Sequence, residues 1–197
     1  MLSIPKHTFF FFCLAVSLAL FGCAPTQKPT VWKKQNASFA GYRVIEVQPV
    51  SNAAGVQIDQ DILAILVNYL RDQFKEEDLP VMDSAESTVG VLFIQSELVV
   101  FAASESNQPY LRSSSSFERS SSWERIIRCT LRTRLVDKAT NEVLAEVVVN
   151  KVAPTGDYPV SNFGPSIICP DCLAKLLKAV ASETAAEVAS LVRTKIP

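Results

Sequence analysis

Cys169-Pro170-Asp171-Cys172 is a pair of thiols at the spacing used by redox disulfides. Pro170 suits the first turn of a helix and Asp171 complements the positive end of its dipole. A helix N-terminus lowers a thiol pKa, so one chemistry open to the pair is a reversible disulfide. The other is a structural disulfide that closes the helix start. A thioredoxin-like arrangement needs strands after this helix, whereas the chain beyond Cys172 reads as helix to its end. Spacing alone leaves the connectivity open, and Cys129 bridged to either member is a further arrangement. Zinc would need a fourth ligand beyond Cys129, Cys169 and Cys172, and the single histidine, His7, lies in the N-terminal segment read below as removed, so no metal site is expected. The same observation removes histidine-based nucleophiles and general bases. Glu76-Glu77-Asp78 cluster at an expected helix end, where a solvated exit explains them better than a glycosidase pair.

Arg128, Arg132 and Arg134 fall at even spacing on one face of an expected strand. They read either as the solvated face of an antiparallel sheet, with Glu146 on the next strand as a cross-strand ion partner, or as a contact for lipid headgroups or an acidic partner. Ahead of them, 104–123 is rich in serine and also carries Tyr110, Phe117 and Trp123 with Arg112 and Arg119. It reads as a solvated insertion or as a docking arm in which Trp123 is an anchor. Acidic and basic residues nearly balance, at 20 and 19, which gives no basic footprint for nucleic acid.

Cys23 carries different chemistry. It closes Leu20-Phe21-Gly22-Cys23 after an apolar run from Phe9 to Leu20 and the lone Lys6. This arrangement resembles a bacterial lipoprotein signal: Leu at −3, a small residue at −1, and a thiol able to carry a thioether-linked diacylglycerol. Phe21 at −2 is bulkier than usual for that class. The resemblance implies removal of residues 1–22, a diacylglycerol and an N-acyl chain on Cys23 as the only non-protein groups, and a lipid-anchored protein. Ala24, where inner-membrane retention uses Asp, implies the periplasmic side of the outer membrane. An uncleaved anchor fits less well, because Phe9 to Gly22 as a helix spans about 20 Å against a hydrocarbon core of about 30 Å. An ordinary secretory signal stays open. In an oxidising envelope the disulfide reading of Cys169 and Cys172 gains weight.

These side chains need a scaffold. Residues 23–40 are polar with two prolines and read as the lipidated N-terminus and a tether. Within 41–197 one domain is expected. Tyr42 to Val47 alternates as a strand, and from Asp59 the period changes, with Ile62, Ile65, Leu66, Tyr69, Leu70 and Phe74 forming an amphipathic helix that ends before Leu79-Pro80. Val89 to Ala102 and Ile126 to Val136 read as strands, the second with Ile127, Cys129, Leu131 and Leu135 inward. The segment 137–142 turns the chain into a partner strand, Val143 to Val152. From about 170 a last helix carries Leu173, Leu176, Leu177, Val180, Thr184, Val188, Leu191 and Val192 as a stripe.

The order strand, helix, Leu-Pro junction and a hairpin written Leu135-Val136-Asp137-Lys138-Ala139-Thr140-Asn141-Glu142-Val143-Leu144 resembles bacterial lipoproteins whose single domain is similar to the N-terminal domain of TolB and to LpoB. Asn141 stands where Gly is more usual. The expected fold is α+β: a two-layer sandwich with an antiparallel or mixed sheet of about four or five strands and two helices on one face. The expected function is that of a non-enzymatic accessory or binding component of an envelope complex, with an envelope protein as partner. A periplasmic thiol-redox protein using Cys169 and Cys172, and a purely structural envelope lipoprotein, are the alternatives.

Overall fold

The computed structural model describes residues 28–82, 87–105, 125–154 and 170–193. The expected signal at 1–22, Cys23, Trp123, nearly all of the serine-rich insertion and Cys169 lie outside them. The described elements are β1 (Thr30–Lys33), β2 (Val44–Val47), β3 (Ser51–Asn52), α1 (Gln60–Glu76), β4 (Val81–Met82), β5 (Val91–Glu105), β6 (Arg125–Asp137), β7 (Glu142–Pro154) and α2 (Pro170–Arg193).

Local chemistry sets the limits of α1. Asp59 stands in an extended conformation and its carboxylate accepts from the Asp61 amide at 3.0 Å, filling one of the unpaired donors of the first turn. At the other end Asp78 turns left-handed (φ 52°). The Leu79 amide then donates to the Phe74 carbonyl and that of Asp78 to Lys75, a paired closure that returns the chain toward the sheet. The buried stripe is Leu63, Leu66, Val67, Leu70, Gln73 and Phe74. It is turned about one residue from the expected one: Ile65 faces solvent, and Ile62 and Tyr69 only flank the core.

The sheet runs β1-β7-β6-β5-β2-β4, with β3 beside β5 as well. From β5 through β1 all pairs are antiparallel, while β2, β3 and β4 join in parallel. The sheet is thus mixed and, among the described residues, has seven strands where four or five were expected. The additional strands are short: β1 has four residues, β3 and β4 two each, too few to show alternation. Thr30 to Lys33, assigned to the tether on composition, instead pair with Ala145 to Val148 at the sheet edge.

Both helices cover the same side. Ile45, Val47, Leu92, Ile94, Leu98, Ile127, Leu131, Leu135, Ala145, Val147 and Val149 meet the α1 stripe and Leu176, Leu177, Val180, Ala181, Ala185, Val188 and Ala189 of α2 in one core. A fully buried Leu such as Leu131 contributes on the order of 1.5–3 kcal/mol. Small residues at 181, 185 and 189 let α2 lie close. Two polar features are tolerated there because each is satisfied: Ser96 and Thr133 hydrogen-bond each other at 2.9 Å, and the Thr184 hydroxyl donates to the Val180 carbonyl.

Candidate functional site

Alternation along β5, β6 and β7 sends every second side chain away from the helices, and among the described residues nothing covers that second face. Cross-strand register arranges it in rows. One row runs Trp32, Glu146, Arg134, Gln95; the next runs Thr30, Val148, Arg132, Glu97, Ser51. At about 4.8 Å per strand, Trp32 and Gln95 stand roughly 14 Å apart.

The centre of the face is an ion-pair lattice. Glu97 Oε1 accepts from Arg132 Nη1 at 3.0 Å and forms an ion pair with Arg134 Nη2 at 3.0 Å, and Glu146 accepts from Arg134 Nε at 3.1 Å. Arg132 Nε lies 3.9 Å from Glu146, in ion-pair range but without a hydrogen bond. Two guanidinium groups and two carboxylates cancel, so Arg132 and Arg134 offer little net attraction to a further anion. Arg128 differs: its cross-strand neighbours on this face are Ala102 and Val152, and it is exposed. The structure therefore puts all three expected arginines on one face but divides them into a compensated pair and an outlier.

A cleft of about 260 Å³ adjoins the lattice, lined by Gln48, Pro49, Ser51, Gln95, Glu97 and Arg134. It exists because the strand bulges: Val47 pairs with Ile94 and Ser51 with Glu97, so one extra residue is fitted in at Pro49, which has no amide to give the ladder. Beyond it Glu46 accepts from Lys138 at 2.9 Å and from Gln48 at 2.7 Å, and Lys138 lies 5.0 Å from the centre of the Phe93 ring. At this end Tyr42 donates to Asp137 at 2.8 Å. That bond holds the Asp137 carboxyl below the usual carboxylate range, while burial and the same bond push the Tyr42 phenol well above its own.

The cysteines separate. Cys129 lies on the helix side of β6, fully buried as a free thiol, and burial pushes its pKa up to about 12. Cys129 and Cys172 are not bridged to each other, and a bridge from Cys129 to Cys169 lies outside the described residues. Cys172 is partly buried in the first turn of α2, and its relation to Cys169 lies outside the described residues, as does any role of Trp123. Among the described residues no cluster of His, Cys, Asp or Glu could hold a metal ion, and no helix is long and apolar enough to cross a membrane.

Trp32, Glu97, Gln95 and Gln48 were not picked out from the sequence. Gln95 and Glu97 had a readable signal, as the polar alternate positions within an otherwise apolar strand. Trp32 had none, since its strand exists only through pairing with β7.

No protein-family model matches the chain, and no curated protein matches it in sequence. Solved structures resemble it in fold. A hypothetical protein, CT253, from Chlamydia trachomatis is 10% identical over 78% of this chain and 99% of its own, at a TM-score of 0.50. A DUF4136 family protein from Bacteroides thetaiotaomicron is 8% identical over 86% of this chain and 98% of its own, at 0.45. Lipoprotein GNA1162 from Neisseria meningitidis is 12% identical over 75% of this chain and 98% of its own, at 0.40.

Proposed function

We propose that this chain is a non-enzymatic lipoprotein, anchored through Cys23 on the periplasmic side of the outer membrane, that binds an envelope protein through the uncovered face of its sheet. The observation that carries the reading is the one-sided architecture: both helices pack on one face, and the other presents Trp32, a compensated Arg-Glu lattice and a polar cleft. Tryptophan and arginine are the residues that most often dominate interface energies. A lattice with no net charge favours a partner with its own mixed hydrogen-bonding surface over a simple polyanion. The signal-like Leu20 to Cys23 and the resemblance to lipoproteins with TolB-like and LpoB-like domains support the envelope setting.

Affinity capture from chemically crosslinked membranes tests this. A partner recovered with the unaltered protein should fall at least tenfold with Trp32→Ala combined with Arg134→Ala. Equal recovery would overturn the assignment of the face.

A further inference from the structure

The length of chain before β1 and the direction in which β1 runs bear on how such a protein would sit on its membrane. Thr30 pairs with Val148 and Lys33 with Ala145, so going backward along β1 leads toward Val152 and Arg128. Six residues lie between Cys23 and Thr30, and the seven steps from one to the other reach at most about 24 Å fully extended. Arg128 lies four residues beyond Arg132 in the Thr30 row, about 14 Å along the strand. A lipid on Cys23 therefore reaches this end of the sheet easily. The Asp137-Lys138 end lies about 17 Å the other way, within the same reach only for a chain that doubles back along β1, so it is the direction of β1 that favours the Arg128 end.

The chemistry at the reachable end is that of a membrane interface. Arg128 is exposed, and every described side chain beside it on the face is uncharged: Ala102 and Val152 across, Ile126 and Thr130 along the strand, Val100 and Asn150 on the diagonals. Val152 is 57% exposed and Val100 37%. A guanidinium set among exposed valines is matched to the headgroup region, where the cation meets phosphate while the apolar rim leaves water.

We propose that the Val100, Arg128 and Val152 patch docks on the anionic lipid surface in which Cys23 is anchored, holding the Trp32 to Gln95 row clear of the bilayer for a partner. This rests on the lipid-anchor reading. One cation near an anionic surface is worth about 1 kcal/mol, or about fivefold in a docking equilibrium.

The test uses the acylated protein in vesicles of phosphatidylcholine with 30% phosphatidylglycerol, with arginine modification by phenylglyoxal mapped by mass spectrometry. Arg43, exposed at the far end of the sheet, is the internal reference. Arg128 should react at least threefold more slowly on vesicles than in the non-acylated Cys23→Ser chain, Arg43 at the same rate in both, and the protection should relax in pure phosphatidylcholine. Vesicles that float with the protein while Arg128 and Arg43 react alike would overturn the docking but leave the anchor standing. Failure to float would overturn both.

Discussion

Glu97→Gln tests whether the ion-pair face is open to water. The substitution keeps shape and one acceptor but removes the charge that serves both Arg132 and Arg134 at 3.0 Å. The four lattice side chains are between 21 and 39% exposed, so each pair is worth about 0.2–1 kcal/mol rather than its bare Coulomb energy. Two pairs are lost, and two guanidiniums two residues apart on one face of β6 are left to share Glu146. A loss of about 1–2 kcal/mol follows. In 1 M salt the screening length falls from about 10 Å to about 3 Å, which should reduce the loss to roughly half or less. Urea unfolding at low and high salt measures this as a shift in midpoint at constant slope. A salt-insensitive loss of about 3–5 kcal/mol would show the face to be closed to water, because that is the signature of a charge stranded in a dry interior. It would mean that something covers this face in the isolated protein.

Three further outcomes are expected. Asn141 holds a left-handed backbone (φ 57°) at the β6–β7 turn, so Asn141→Gly should raise stability by about 0.5–1 kcal/mol in thermal unfolding. Asp137 has a depressed pKa whose first cause is the Tyr42 hydroxyl, so it contributes stability above the unfolded carboxylate pKa, about 3.9, and that contribution is lost as pH falls through the lower folded value. Tyr42→Phe should shrink this acid-side loss, and NMR titration should show the Asp137 pKa moving up; an unchanged value would sink the assignment. Cys129 should resist alkylation in the native protein and react only on unfolding, read by peptide mass, since its thiolate is scarce at neutral pH and its sulfur is fully buried.

What could be read from the sequence divides by range of interaction. The α1 segment, the β6–β7 hairpin and the last helix were legible because their signals are local: a period near 3.6 from Ile62 to Phe74, alternation around Cys129, and turn residues at 137–142. Even so, the α1 stripe came out rotated, because Leu63 and Val67 compete with Ile62 and Ile65 for the core, and only packing decides. The parallel joining of β2 to β5, the edge strand at Thr30 and the bulge at Pro49 arise from pairing between distant segments, which no short window contains. For the site, the even spacing of Arg128, Arg132 and Arg134 and the nearby Glu146 were readable. The second carboxylate, Glu97, came from a strand whose register was unknown, and it is this residue that turns two of the three arginines from a candidate anion site into a compensated lattice.

Under the proposed function, the face opposite the helices is where a partner binds. Site-specific photo-crosslinking in cells puts it to the test, with a benzophenone amino acid at Trp32 on the uncovered face or at Ile65 on the outer surface of α1, both exposed. A discrete adduct is expected from position 32 and none from 65. An adduct from 65 with none from 32 would contradict that placement.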